Sequence, residues 1–212
     1  MPKGPGAANL RRMPIVAGVP VKSFSAAKMR LAAAIAPDVR IALSQEMARR
    51  TCELLAEAGA RPLVLAADAQ VARWARALGH EVVLDESSDL NQAAAAAVAV
   101  ASGRPWLLLH ADLPLLDSEV LTTLLAAVED GQSMISSSRD GGTPAIGATL
   151  SSFDFAYGPS SFHRHLRRLA PTDPKVLIDP RLAIDLDEPS DLAVVRRRVP
   201  WMATIFDSLD PS

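Results

Sequence analysis

One cysteine, Cys52, stands in the 212 residues, which excludes an intrachain disulfide framework and a cysteine-based zinc site. A cytoplasmic location fits that usage. No apolar run nears the roughly 18 residues of a membrane-spanning helix, so no membrane partner is expected. Aromatic residues make up 4% of the chain against 49% hydrophobic residues in all. The core must therefore be built from Ala, Leu, Val and Ile, which suits a sheet covered by helices better than a β-sandwich. Excess basic charge is also missing. A net charge of −2 supplies no field for nucleic acid, and none is expected as a partner. There is no Walker-type glycine-rich loop, which argues against a P-loop NTPase. Residues 1–12 are rich in Pro, Gly and Ala but lack the apolar stretch of a signal peptide, and are read as a disordered leader.

What the chain does have is alternation. Strands are expected at 14–21, 61–67, 81–84, 107–109, 134–137, 145–150, 175–178 and 182–187. Helices are expected at 39–59, 69–78, 90–101, 118–128, 162–170 and 189–198. In the first helix Ile41, Leu43, Met47, Leu54 and Leu55 recur at helical spacing, and Gly59 stops it. Asp89 and Ser118 are placed to cap the helices that follow them, and Pro189 to open the last one. Such alternation predicts an α/β fold with a mostly parallel sheet and helices on both faces. No repeat or long linker divides the chain. One domain over 13–199 is expected, followed by a tail, 200–212, that packs on the domain or on a partner; a homodimer is left open.

His110-Ala111-Asp112-Leu113-Pro114 sits directly behind the apolar run Trp106-Leu107-Leu108-Leu109. That pattern reads as a buried strand delivering a carboxylate to its C-terminal edge, where open α/β sheets bind ligands. His110 itself is read as a packed strand histidine. Ala183-Ile184-Asp185-Leu186-Asp187 reads as a second acidic strand end, its two carboxylates on one face. Two carboxylates at one sheet edge can hold a divalent metal against phosphate oxygens, which points to chemistry on a nucleotide. The plain alternative for Asp112 and Asp187 is helix capping. Lys22, Lys28 and Arg30 around the first loop can neutralise a triphosphate, or can be solvated surface charge. Asn91 can offer its amide to a base or ribose, or cap a turn. In Arg139-Asp140-Gly141-Gly142-Thr143-Pro144 paired glycines allow close backbone approach, unless the loop is simply a hairpin turn. Tyr157-Gly158-Pro159-Ser160-Ser161-Phe162 opens a basic helix whose hydroxyls and N–H groups can seat an anion, or merely cap it. His163 and His165, two apart, do not share a helix face and are a poor zinc pair.

Taken in order, Val19-Pro20-Val21-Lys22 with Ala27-Lys28-Met29-Arg30-Leu31, Leu90-Asn91, Ala111-Asp112-Leu113-Pro114, Arg139-Asp140-Gly141-Gly142-Thr143, Gly158-Pro159-Ser160-Ser161-Phe162 and Asp185-Leu186-Asp187-Glu188-Pro189-Ser190-Asp191-Leu192 resemble one family. It is that of the guanylyltransferases of deazaflavin (F-420) coenzyme biosynthesis. This family belongs to the nucleotide-diphospho-sugar transferase-like superfamily, with the molybdopterin guanylyl- and cytidylyltransferases. The resemblance implies a single-domain Rossmann-like, GT-A-like nucleotidyltransferase fold. It implies GTP as co-substrate, Mg²⁺ as cofactor and a small phosphorylated three-carbon acid as acceptor: phosphoenolpyruvate, 2-phospho-L-lactate or 3-phosphoglycerate. The product would pass to a downstream deazaflavin transferase.

Carried over residue by residue, it puts Mg²⁺ on Asp112 and Asp185, with Asp187 as the other candidate ligand. Lys22, Lys28 and Arg30 join Asp112 in the catalytic set. Val19, Lys22, Lys28, Asn91, Ala111 and Asp112 would surround the nucleotide, and Thr143, Gly158, Ser160 and Ser161 the acceptor. Two positions depart from the family pattern: Asp89 stands where Gly often precedes Leu-Asn, and Pro144 where many members have Asn. Pro144 lacks an N–H, so any acceptor contact made there in relatives is altered. The rival readings are a transferase acting on molybdopterin or a sugar phosphate, and a non-catalytic nucleotide-binding protein on the same scaffold.

Overall fold

The computed structural model describes residues 14–85 and 89–209; the expected leader and part of the Asp85–Asn91 segment lie outside them. Among the described residues seven strands form one sheet: β1 (Val16–Val21), β2 (Arg61–Ala66), β3 (Glu81–Leu84), β4 (Trp106–Leu109), β5 (Met134–Ser136), β6 (Ala145–Ala148) and β7 (Lys175–Leu177). Their order is β3-β2-β1-β4-β6-β5-β7. β6 runs antiparallel to β4 and β5, and the other pairings are parallel. The sheet is therefore mixed but mostly parallel, as the alternation predicts.

Helices α1 (Pro37–Glu57), α2 (Ala69–Ala77), α3 (Leu90–Ala101) and α4 (Ser118–Glu129) make the crossovers of the first two thirds. β4 is apolar throughout and buried throughout, as a strand covered on both faces must be. One face packs Leu107, Leu109 and Val64 against α1, α2 and α4. The other packs Trp106, Leu108 and Ile146 against the small residues Ala93, Ala94, Ala97 and Ala101 of α3. Those alanines let α3 lie close to β1. A Cβ at Gly18 would come within 3.1 Å of the Ala97 Cβ, so glycine is the residue that fits.

The remaining helices are α5 (Ser161–Leu169), α6 (Pro180–Ala183), α7 (Pro189–Val195) and α8 (Pro200–Leu209). Two local expectations fail. Residues 182–187 form no strand: Pro180 starts a helical turn capped by the Asp179 side chain on the Arg181 N–H. The chain then runs on to Glu188, where Pro189 opens α7. Asp185 and Asp187 alternate, but not on a strand. Ser118 is the first helical residue and not the cap, because the carboxylate of Asp117 reaches the Val120 N–H at 3.0 Å. The segment set apart as a tail forms α8. Its Met202 and Phe206 are buried with Leu31, Leu43, Met47, Leu186 and Val195 in a third apolar cluster.

Candidate active site

β1 is the strand at which the order reverses, with β2 on one side and β4 on the other. Parallel strands diverge there, and a crevice opens beyond their carboxyl ends. A cleft of about 760 Å³ occupies that position, reached by Val21 at the end of β1 and Lys22 after it, Ala67 after β2, and His110, Ala111 and Asp112 after β4. Lys28, Arg30 and Asp187 border it too.

The first loop is shaped from α1. Arg40 is buried and donates from Nη1 to the Ala27 carbonyl at 3.0 Å and to the Met29 sulfur at 3.1 Å. Between those anchors Lys28 adopts left-handed backbone angles, φ 53° and ψ 39°, which cost a side-chain-bearing residue about 1–2 kcal/mol. The turn aims Lys28 inward, and its Nζ lies 2.9 Å from Asp112 Oδ2. Burial alone would raise the Asp112 carboxyl. The Lys28 ammonium, with His110 and Lys22 behind it, carries it well below the usual carboxylate range. Lys22 is exposed on the cleft rim. Arg30 is exposed and pairs with Asp187 at 2.8 Å, a contact weakened by solvent.

Asp185 arrives beside Asp112 through the backbone, because the Leu186 N–H donates to the Asp112 carbonyl at 3.0 Å. Burial first, and then the Asp112 charge, push the Asp185 carboxyl up to about 6. The loop is pinned again by Asp191, a buried carboxylate that accepts from the N–H groups of Asp187 and Glu188 and from Arg139 at 2.6 Å.

Asp112 Oδ1 is enclosed and takes no hydrogen bond among the described residues. An orphaned carboxylate oxygen, with a second carboxyl close enough to feel its charge, fits a divalent cation. Among the described residues no group of three or more His, Cys, Asp or Glu is placed to cage a metal. Magnesium suits this arrangement, since it is commonly held by one or two carboxylates together with substrate phosphates and water.

The four acceptor candidates gather at a second cluster. Thr143 and Ser161 are buried, their hydroxyls 3.0 Å apart. Gly158 has φ 118° and Ser160 φ 54°, the turn that starts α5. The anion seat expected at that helix start is partly taken: the Ser161 N–H donates to the Gly158 carbonyl and the Phe162 N–H to the Gly141 carbonyl. This cluster meets the cleft at His110, whose N–H donates to the Pro144 carbonyl at 2.9 Å.

Two nucleotide candidates sit apart from the cleft lining. Val19 is fully buried inside β1. Asn91 is a brace: its Oδ1 accepts from the Tyr157 N–H at 2.6 Å, and its Nδ2 donates to Asp89 Oδ1 at 3.0 Å. Leu90 and Ala93 line the cleft at that point. His110, read from sequence as packing, borders the cleft with an enclosed Nε2 that has no partner among the described residues. The sequence signal for it was adjacency to Asp112. Arg40 and His165 carried none, for each acts on a loop distant in sequence.

The fold resembles a putative nucleotide-diphospho-sugar transferase from Desulfovibrio desulfuricans G20, with a TM-score of 0.74, 19% identity, and 91% of this chain and 95% of that one covered. The family described as guanylyl transferase CofC like matches residues 15–196. The chain belongs to that family. A phosphoenolpyruvate guanylyltransferase of Rubrobacter xylanophilus is 35% identical over 190 residues, covering 85% of this chain and 93% of the relative. A 2-phospho-L-lactate guanylyltransferase of Halomicrobium mukohataei is 33% identical over 179 residues, covering 82% and 83%. As a CofC-like guanylyltransferase, the protein carries its cationic loop and Asp112 within the matched span.

Proposed function

We propose that the enzyme transfers the GMP unit of GTP to the phosphate of phosphoenolpyruvate or 2-phospho-L-lactate, releasing pyrophosphate, in the assembly of a deazaflavin coenzyme. The acids are those in the names of its relatives. The observation that carries the reading is Asp112 at the cleft floor, one oxygen held by Lys28 and the other without a partner among the described residues.

An acceptor phosphate oxygen is already ionised near pH 7, so no general base is needed. It attacks the α-phosphorus of GTP in line, and pyrophosphate leaves. The protein's work is then positioning and charge neutralisation. Lys22 and Arg30 at the rim offset charge on the departing pyrophosphate. Lys28 holds the Asp112 carboxylate in place. Thr143, Gly158, Ser160 and Ser161 hold the acid, with Pro144 contributing only its carbonyl, on the His110 N–H. Asp112 and Asp185 would hold Mg²⁺, which when bound supplies Lewis-acid stabilisation of charge on the phosphate oxygens.

The test is pyrophosphate release with each of four NTPs against phosphoenolpyruvate, 2-phospho-L-lactate and 3-phosphoglycerate, with the product identified by mass spectrometry. GTP with one of the first two acids is expected to dominate. Asp112→Asn should stay folded and lose at least about a hundredfold in turnover. Near-normal release by that variant would defeat the assignment.

A further inference from the structure

Behind the acceptor cluster lies a histidine that the reaction as described leaves idle. His165, on α5, is completely buried. Its Nε2 is 2.8 Å from the backbone nitrogen of Ala156, and its Nδ1 is 2.9 Å from Thr143 Oγ1. A backbone N–H can only donate, so Nε2 must be the unprotonated nitrogen. In a neutral imidazole the proton then sits on Nδ1 and is donated to Thr143. Burial, aided by the Arg168 and Arg164 charges, pushes the ring's pKa down to about 4, which keeps it neutral near pH 7.

That tautomer fixes a donor count. Thr143 and Ser161 share one hydrogen bond, 3.0 Å long, and bring two hydroxyl protons. Thr143 also accepts the proton of His165, so neither hydroxyl can be satisfied by donating to the ring. Whichever way the Thr143–Ser161 bond runs, one hydroxyl proton has no acceptor among the described residues. With the opposite tautomer Thr143 would donate to Nδ1, Ser161 to Thr143, and no donor would remain.

We infer that His165 is a positioning residue that polarises the Thr143–Ser161 pair into an O–H donor for an anionic oxygen of the acceptor, its carboxylate or phosphate. This rests on the reading of Thr143 and Ser161 as acceptor contacts. Ala156, through its N–H, is the anchor that sets the direction. Tyr157 packs edge-on against the ring, with centroids 4.8 Å apart, and holds it in plane.

Two variants separate this role from packing. His165→Asn can place an amide N–H where Nδ1 was but loses the Ala156 contact. His165→Gln reaches toward Ala156 but withdraws the donor from Thr143. Asn leaves the larger void, so a packing role alone predicts the larger effect in the Asn variant. Expected is a KM for phosphoenolpyruvate or 2-phospho-L-lactate raised roughly ten- to hundredfold in the Gln variant, within about threefold of wild type in the Asn variant, and a GTP KM little changed in both. Nitrogen-15 NMR of the wild-type protein should show His165 as the Nδ1–H tautomer between pH 6 and 8. Equal acceptor KM values in the two variants, a matching rise in GTP KM, or an Nε2–H tautomer would each overturn the inference. Should the wild-type enzyme release no pyrophosphate with any of the acids, the proposed function fails and takes the anion assignment with it. The tautomer is read without turnover, so the two failures are distinguishable.

Discussion

Lys28 Nζ stands 2.9 Å from Asp112 Oδ2, and the Lys28 side chain is only 9% exposed. An ammonium this deep is held there by the left-handed turn and by Arg40 beneath it. Removing one partner of such a pair costs more than the pair is worth, because it strands the other charge. Lys28→Met would leave Asp112 beside Asp185 without its nearest counter-charge. We expect a loss of about 2 kcal/mol in stability, reduced from the fully buried case by partial exposure. Turnover should fall by at least about a hundredfold. Thermal melts in EDTA and in magnesium check the cause. Magnesium should raise the melting temperature of the variant more than that of wild type, since both Asp112 oxygens are then free. An equal response would mean that Lys28 and the cation act at separate places.

His165 makes one contribution to the pH dependence of stability. Its folded pKa of about 4 lies below the ordinary 6.5, so between those values the unfolded chain binds a proton that the folded protein refuses. Its contribution is therefore fully present above about pH 6.5 and is lost as the pH falls toward 4. Burial also lowers His110, which adds to the same slope. Asp185, raised to about 6, takes up its proton in the folded protein first and opposes it, so the variant difference is the informative quantity. Urea midpoints measured from pH 7 to pH 4.5 should fall less steeply in His165→Asn than in wild type. Parallel slopes would show that His165 is not held neutral.

Asn91 offers a sharper split. The resemblance places it at the nucleotide, yet its amide spans Asp89 and the Tyr157 N–H. Asn91→Ala leaves that N–H without its acceptor and frees the loop that leads into Gly158 and Ser161. A cost of about 1–2 kcal/mol is expected. Steady-state kinetics should show a raised acceptor KM with a nearly unchanged GTP KM. A rise confined to GTP would return Asn91 to the nucleotide.

Why some of this was legible in the sequence and some was not has a physical basis. β4 and the helix that ends at Ala101 were readable because burial on both faces, or an alanine stripe, writes itself into adjacent residues. Asp112 was readable because a carboxylate closing an apolar run is costly without a partner. The identity of that partner was not. Lys28 belongs to a loop whose inward turn is set by Arg40 from the next helix, and no local pattern encodes it. Residues 182–187 alternate like a strand, but strand formation needs a neighbour with free backbone groups. Asp179 and Pro180 had already started a helical turn. The Thr143–Ser161–His165 chain joins residues from a loop and a helix, and it becomes visible only once β6 and α5 are in place.

The limits of packing around β6 give the last prediction. Gly147 lies between Leu107 of β4 and Met134 of β5 in the ladder. A Cβ there would stand 2.9 Å from the Trp106 carbonyl oxygen and 2.7 Å from a Val128 methyl. The carbonyl is fixed by the sheet and cannot retreat without breaking register. At Gly18 the tightest neighbour, at 2.7 Å, is a Leu108 methyl at the end of a flexible side chain, and the next is Ala97 Cβ at 3.1 Å. Gly147→Ala should therefore cost about 2–3 kcal/mol and Gly18→Ala about 1 kcal/mol. Urea unfolding at constant m-value measures both. Because β6 begins directly after Thr143 and Pro144, the Gly147 variant should also lose acceptor affinity while keeping its GTP KM. If Gly18→Ala proves the costlier change, the approach of α3 to β1, and not the sheet ladder, sets the tighter limit on this core.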